Sequence, residues 1–325
     1  MSNSSATSRF VPYIGKRIMS SIEEQAKQLL VYKTGDMLGL DMFGDAEEGE
    51  MEGFKSRIAV FGMTGSGKSA LINTVHKLLF GPEHELAVVQ SSGGEGTEVL
   101  EEFFHDLGFT MVDTRGFFEF DTATEQAELF RIFYGGVKEG EVIDRGALGA
   151  RKAASVGKAG HKMNKPPLSR QVHAVLWVIK ANDVRLANEM YRDKFKFLKD
   201  RLSQESITII TAITHSDVID AANNPEKAAA EVVAKAREAT GSQQMNTFLI
   251  SNWLGGQKSY DVSMQKEVMR LMETALECAE RSVKMRQTKR SFARRQTERR
   301  AAQIRAQGGK MPREHEDSSD INCNF

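Results

Sequence analysis

The sequence predicts an α/β fold, with a mostly parallel six-stranded sheet between helices. Three observations predict it. Strand and helix patterns alternate from residue 57 to 255, as repeated strand–helix–strand units require. The strand candidates at 57–61, 172–179 and 206–213 are near-continuous apolar runs, as central parallel strands covered on both faces should be. Between the first of them and a helical stretch lies Gly62-Met63-Thr64-Gly65-Ser66-Gly67-Lys68-Ser69. This octet fits the phosphate-binding pattern G-x-x-x-x-G-K-[ST] at every fixed position, in the strand–turn–helix context the pattern needs.

Residues 1–54 read as a disordered Ser-rich start, an amphipathic helix and an acidic linker. Apolar residues at Ile18, Met19, Ile22, Ala26, Leu29 and Leu30 recur at helical spacing. The linker carries Asp41, Asp45, Glu47, Glu48, Glu50 and Glu52 without a base. The main domain spans 55–258. Strands are expected at 57–61, 99–104, 109–113, 172–179, 206–213 and 247–250. Helices are expected at 68–80, 121–136, 184–202 and 225–239. Residues 138–170, rich in Gly, Ala, Lys and Arg and holding Pro166-Pro167, read as a mobile insertion, since loops of that length are rarely structural. A C-terminal helix is expected over 259–307. Its first part keeps an apolar stripe (Val268, Met269, Met272, Ala275, Leu276, Ala279, Val283), which is almost lost after Met285. Residues 308–325 read as a disordered tail after Gly308-Gly309.

The formal net charge is zero, but it is unevenly distributed. Residues 281–313 hold twelve Lys and Arg against one acid, Glu298. That asymmetry leaves two readings of Arg281–Arg313, a solvated extension of the helix and contact with an anionic membrane or RNA. Only Phe292 is aromatic there, which argues against sequence-specific recognition of single strands. The two cysteines, Cys278 and Cys323, suggest no disulfide framework. No run approaches the ~18 apolar residues of a membrane span and no signal-peptide pattern opens the chain. The expected setting is cytoplasmic, with peripheral membrane association through the basic helix.

The motifs point to nucleotide chemistry. In the octet, Gly62, Thr64, Gly65, Ser66 and Gly67 turn backbone N–H groups inward, and Ala70 follows at the start of a helix whose positive end favours phosphate. Lys68 is expected on the β- and γ-phosphates, and Ser69 on Mg²⁺. The strand 109–113 delivers Asp113-Thr114-Arg115-Gly116, a D-x-x-G element. Asp113 is expected near Mg²⁺ and Gly116 on the γ-phosphate as a switch. Thr97 is the expected switch hydroxyl on the metal, with Ser91 and Ser92 as competitors. Lys68, Thr97 and Gly116 are the expected catalytic groups. Base recognition is expected from Thr214-His215-Ser216-Asp217, where [NT]-K-x-D is usual and Asp217 would accept from guanine. His215 stands in place of the Lys. Ser251-Asn252 after the last strand is expected to present a backbone N–H to guanine. A Gln that often follows the D-x-x-G glycine is replaced by Phe117-Phe118.

Together the octet, Ala70-Leu71-Ile72-Asn73, Asp113-Thr114-Arg115-Gly116, Ile132-Phe133-Tyr134-Gly135-Gly136-Val137-Lys138-Glu139-Gly140, His173-Ala174-Val175-Leu176-Trp177-Val178 and Ser251-Asn252 resemble the interferon-induced protein 44-like family of GTPase-like proteins. Its wider relatives are the immunity-associated and septin-like P-loop GTPases. The resemblance covers about residues 55–255. It implies a Ras-like G domain, binding of GTP or GDP with Mg²⁺, and a cytoplasmic role linked to immunity or stress. The leading expectation is a GTP-binding switch whose hydrolysis is slow or depends on a partner or a homodimer formed through the nucleotide face. No effector is indicated. Two other readings stand beside it, a nucleotide-gated scaffold acting through the basic helix and an ATP-using P-loop enzyme.

Overall fold

The computed structural model describes residues 21–82, 86, 99–114, 116, 123–143, 166–254, 257 and 259–306. Residues 1–20, most of 83–98, 117–122, 144–165 and 307–325 lie outside the described residues.

Six strands form one sheet. They are β1 (Ser56–Gly62), β2 (Glu101–Phe103), β3 (Phe109–Asp113), β4 (Ala174–Lys180), β5 (Thr208–Thr214) and β6 (Thr247–Leu249). The order is β2-β3-β1-β4-β5-β6. Only β2, at the edge, runs antiparallel to its neighbour. The chain therefore has a Ras-like, mostly parallel α/β fold.

Side chains alternate across β1 to separate two cores. Ile58 and Val60 face a layer formed by α1 (Ile22–Val31), α2 (Lys68–Phe80) and the long α8 (Val262–Ala306). Ala59 and Phe61 face α3 (Ala123–Phe133), α5 (Tyr191–Gln204) and α7 (Pro225–Thr240). Two one-turn helices, α4 (Val184–Ala187) and α6 (Asp217–Asp220), complete the set. Each fully buried Leu, Ile or Phe contributes about 2 kcal/mol, and β4 from Ala174 to Ile179 is buried throughout.

Local chemistry explains the helix ends. Ser21 and Glu24 form a reciprocal capping box on α1. Asn224 caps α7 ahead of Pro225, and Gly241 ends it at φ +73°. The single helix expected over 184–202 is two, because Glu189 takes a left-handed conformation at φ +57° between α4 and α5.

Two segments differ from expectation. The ends of the 138–170 stretch are structured: Val142 bridges Val99, and the Gly140 N–H donates to the Leu100 carbonyl. Its centre lies outside the described residues. The acidic run at 41–52 is folded onto α8 and not open. Lys284 pairs with Asp45 at 3.0 Å, Arg290 pairs with Glu50, and Arg295 approaches Asp45 at 3.8 Å. Met42 and Phe54 pack with Val283 beneath it. Beyond Met285, α8 remains docked through buried polar groups. Arg286 donates to the carbonyls of Glu205 and Val172 and to Gln171, and burial lowers its guanidinium to about 10.

Candidate nucleotide site

The parallel register gathers the motif residues at one edge. Val60 lies beside Asp113, Gly62 beside Val178, and Lys180 beside Thr214. Motifs far apart in sequence meet there because each follows the carboxyl end of its strand.

The 62–69 loop is shaped for close approach. A Cβ on Gly62 would lie 2.3 Å from the Val178 carbonyl oxygen. Gly65 and Gly67 take φ of +76° and +91°, which side-chain-bearing residues rarely adopt. Gly67 caps α2 with no side-chain acceptor, so the first N–H groups of that helix remain for an anion. Ser66 is buried and its Oγ has no hydrogen-bond partner among the described residues. A buried polar atom of that kind fits a loop built around a polar ligand. Thr64 and Gly65 are at least partly exposed at its rim, and Ala70 is buried. Lys68 is buried with Nζ 3.3 Å from the carbonyls of Gly62 and Met63, so its ammonium is held over the loop.

Ser69 donates to Asp113 Oδ2 at 2.6 Å. These are the two expected metal-side groups, now in contact. Burial raises the Asp113 carboxyl, while the Lys68 ammonium and the Ser69 hydroxyl oppose the rise. A hydroxyl beside a buried carboxylate is a hard oxygen pair and suits Mg²⁺. Gly116 is packed on the loop: a Cβ there would fall 2.5 Å from Thr64 Oγ1. Arg115, Phe117 and Phe118 lie outside the described residues, as do Thr97, Ser91 and Ser92.

The base-side residues brace the same loop. Thr214 Oγ1 donates to the Ser66 carbonyl at 2.7 Å. With that proton committed, it accepts from His215 Nδ1–H at 2.9 Å. His215 adopts φ +60°. Burial and the Lys180 ammonium lower its imidazole, with Asp217 opposing, so it is neutral at pH 7. Asp217 is exposed at the start of α6. Asn252 differs from expectation, because its side chain is engaged as well. Its Nδ2 donates to the Gly67 carbonyl at 3.1 Å, and its buried Oδ1 has no partner among the described residues.

Three residues near this site were not read from the sequence. Tyr260 donates to the Ser251 carbonyl. Trp253 stacks on Tyr260 at 5.3 Å and 8°. Lys180 sits beside His215. An aromatic next to Ser251-Asn252 was the only local signal; the others depend on long-range packing.

No family model matches the chain, and no curated protein matches it. The likeness to interferon-induced protein 44-like proteins therefore stands on the quoted motifs alone. Solved structures do match. A dimerization-deficient Toc33 from Arabidopsis thaliana is 13% identical, over 78% of this chain and 95% of that one, at a TM-score of 0.38. The small COPII coat GTPase SAR1 from Encephalitozoon cuniculi with GDP is 11% identical, over 83% and 92%, at 0.39. A septin GTPase domain from Chlamydomonas reinhardtii is 12% identical, over 74% and 98%, at 0.39. Other Toc33 structures hold Mg²⁺ with GDP or with GMPPNP. At these identities and scores the likeness assigns no function to this chain.

Proposed function

We propose that the protein is a Mg²⁺-dependent guanine-nucleotide switch with slow or partner-dependent GTP hydrolysis. The observation that carries the reading is the contact of Ser69 with Asp113 at 2.6 Å, on a loop braced from the base side by Thr214 and Asn252. Lys68 and the N–H groups of the loop bind phosphate, and Ser69 and Asp113 hold the metal. Bound Mg²⁺ supplies charge neutralisation at the phosphates. Asp217 accepts from guanine N1–H and its exocyclic amine, which adenine does not offer. His215 covers the base in place of the usual lysine stem. Gly116 packs against Thr64, so a γ-phosphate arriving beside Thr64 displaces or engages it. That is a switch of the order–disorder or hinge kind.

Phe117-Phe118, where a water-orienting Gln is common, supports slow turnover. A second subunit meeting the nucleotide face would supply the missing group. A cytoplasmic role in immunity or stress follows from the motif resemblance. No helix among the described residues is long and apolar enough to cross a membrane.

One observation favours the scaffold reading as a second role. Distal α8 exposes Arg294, Arg295, Arg299 and Arg300, which suits an anionic surface.

Binding of labelled GTP, GDP and ATP with and without Mg²⁺ tests the proposal. GTP and GDP are expected to bind at least about tenfold more tightly than ATP, and the GTP complex is expected to need Mg²⁺. Equal binding of ATP, or no nucleotide binding, overturns it.

A further inference from the structure

A cleft of about 520 Å³ opens between α5, α7 and α8, within the size range of small-molecule sites. It lies at the opposite end of the sheet from the P-loop. Thr208, at the start of β5, lines it, whereas Thr214, at the end of β5, braces the P-loop. At ~3.3 Å per residue a seven-residue strand separates the two by roughly 20 Å. The nucleotide proposal does not use this cleft.

Its charge is one-sided. Lys199, Arg270 and Arg281 line it against one acid, Glu277. Lys199 and Arg281 have no ion-pair or hydrogen-bond partner among the described residues. Arg270 is held on one side by Glu267 at 2.6 Å and lies 5.7 Å from the Phe248 ring centroid. The opposite wall is a fixed hydroxyl cluster. Thr240 and Ser242 lie 3.0 Å apart, and Thr211 and Thr247 hold them from either side. Both wall residues are buried. The hydroxyl protons of that wall are committed within the cluster and to the Ala236 and Gln243 carbonyls, so the donors left to recognise phosphate oxygens are the guanidinium forks of Arg270 and Arg281 and the Lys199 ammonium. None of the lining residues is aromatic, so nothing there stacks on a nucleobase.

We infer that the cleft between α5, α7 and α8 is a second ligand site, for a phosphate monoester, independent of the P-loop. Two sources share that chemistry, a soluble phosphorylated metabolite and a phosphorylated lipid headgroup. The surroundings are compatible with both. Met245 stands 69% exposed at the cleft, and Met285 and Phe292, seven residues apart on α8, are 51% and 62% exposed. Arg281 is on the same helix face as Met285 and Phe292.

The test uses the full chain with guanine nucleotide bound and excess nucleotide removed. Inorganic phosphate and a soluble polyphosphorylated inositol are titrated by calorimetry. Vesicles of phosphatidylcholine with and without a phosphorylated inositol lipid are assayed by flotation. Arg270→Gln with Arg281→Gln is compared with Lys27→Gln plus Lys227→Gln, a control of equal charge at exposed positions outside both the cleft and distal α8. The cleft variant is expected to bind phosphate ester at least about tenfold more weakly, and the control within about twofold. Binding of the soluble ester assigns the metabolite source; binding to lipid vesicles alone assigns the headgroup. Equal losses in both variants, or no phosphate binding by the wild type, overturn the site. Thermal unfolding of each variant, together with its retained guanine-nucleotide affinity, excludes misfolding. Retained nucleotide binding also separates this outcome from failure of the nucleotide proposal.

Discussion

The carboxyl edge of the sheet and the seam along α8 both bury polar groups, but only the seam encloses its most buried charges, Glu280 and Arg286, in several partners of its own. At the sheet edge, Ser66 Oγ and Asn252 Oδ1 are buried without partners among the described residues, and the cap of α2 is left open. Along α8 the buried charges of Glu280 and Arg286 are satisfied from within, while Ser282 Oγ, Gln287 Oε1 and Arg290 Nε are buried without partners among the described residues. Glu280 accepts from Tyr32 Oη and from the N–H groups of Gly35, Met37 and Leu38. Arg286 donates to two carbonyls and an amide. Unmade hydrogen bonds are costly in a protein interior. On the proposed function the sheet edge is a site arranged for a ligand, and the hydrogen bonds of Glu280 and Arg286 make the α8 seam a clamp. Substitutions at the first should change binding with little effect on folding, and those at the second should do the reverse.

The largest effect is expected from Lys68→Ala. It removes a charge-assisted contact to phosphate, of order 1.5–3 kcal/mol per bond, so nucleotide binding should be lost. Circular dichroism and the unfolding midpoint should stay near wild type. A matching drop in stability would erase the distinction between the two regions.

Glu280→Ala should act in the opposite way. It strands four donors in a buried pocket and should cost about 3 kcal/mol of stability, read as a shift in the urea midpoint. The nucleotide affinity of the folded fraction should remain.

A third contrast is in pH. His173 is fully buried at the start of β4. Its Nδ1 accepts from the Arg57 N–H and its Nε2–H donates to the Leu168 carbonyl. Burial holds its imidazole down at about 3, against about 6.5 when unfolded. As pH falls from about 6.5 towards 3, the unfolded chain gains a proton that the native chain does not. Stability should then fall by up to ~1.4 kcal/mol per pH unit. Urea unfolding of wild type and His173→Gln at several pH values should show a shallower slope in the variant.

The smallest effect belongs to the seam's surface charges. Asp45→Asn with Glu50→Gln removes the acids that pair with Lys284, Arg290 and Arg295, and these pairs are only partly exposed, each worth about 1 kcal/mol at most. The midpoint should move less than in Glu280→Ala. Retention on anionic vesicles should persist to higher salt than in wild type, because the freed cations add to the attraction. An unchanged salt profile would mean that the acidic run does not mask the helix.

The same contrast explains what was legible in the sequence. The P-loop is a contiguous octet with fixed chemistry, so strand, turn and helix could all be read from it. Asp113 and Thr214 were legible because each ends an apolar strand. The α8 seam joins residues about 240 positions apart, such as Asp45 with Lys284 and Glu50 with Arg290. No local pattern announces such pairing, so the acids read as a linker and the bases as a free helix. The break at Glu189 was missed for another reason: a left-handed glutamate has no sequence signal of the kind glycine gives. Asn252 lies against the 62–69 loop, and its grip on the Gly67 carbonyl is a side-chain contact that strand order alone does not reveal.

The central claim is that Asp217 reads guanine on this P-loop, and Asp217→Asn tests it most directly. Guanosine, adenosine and xanthosine triphosphates would compete for labelled nucleotide on wild type and variant. An asparagine amide donates to the C2 carbonyl of xanthine but opposes the amine of guanine. The variant should lose at least about tenfold in GTP affinity, gain xanthosine triphosphate, and leave ATP unchanged. Wild-type protein that binds ATP as tightly as GTP, or a variant with an unaltered order of preference, would contradict the account.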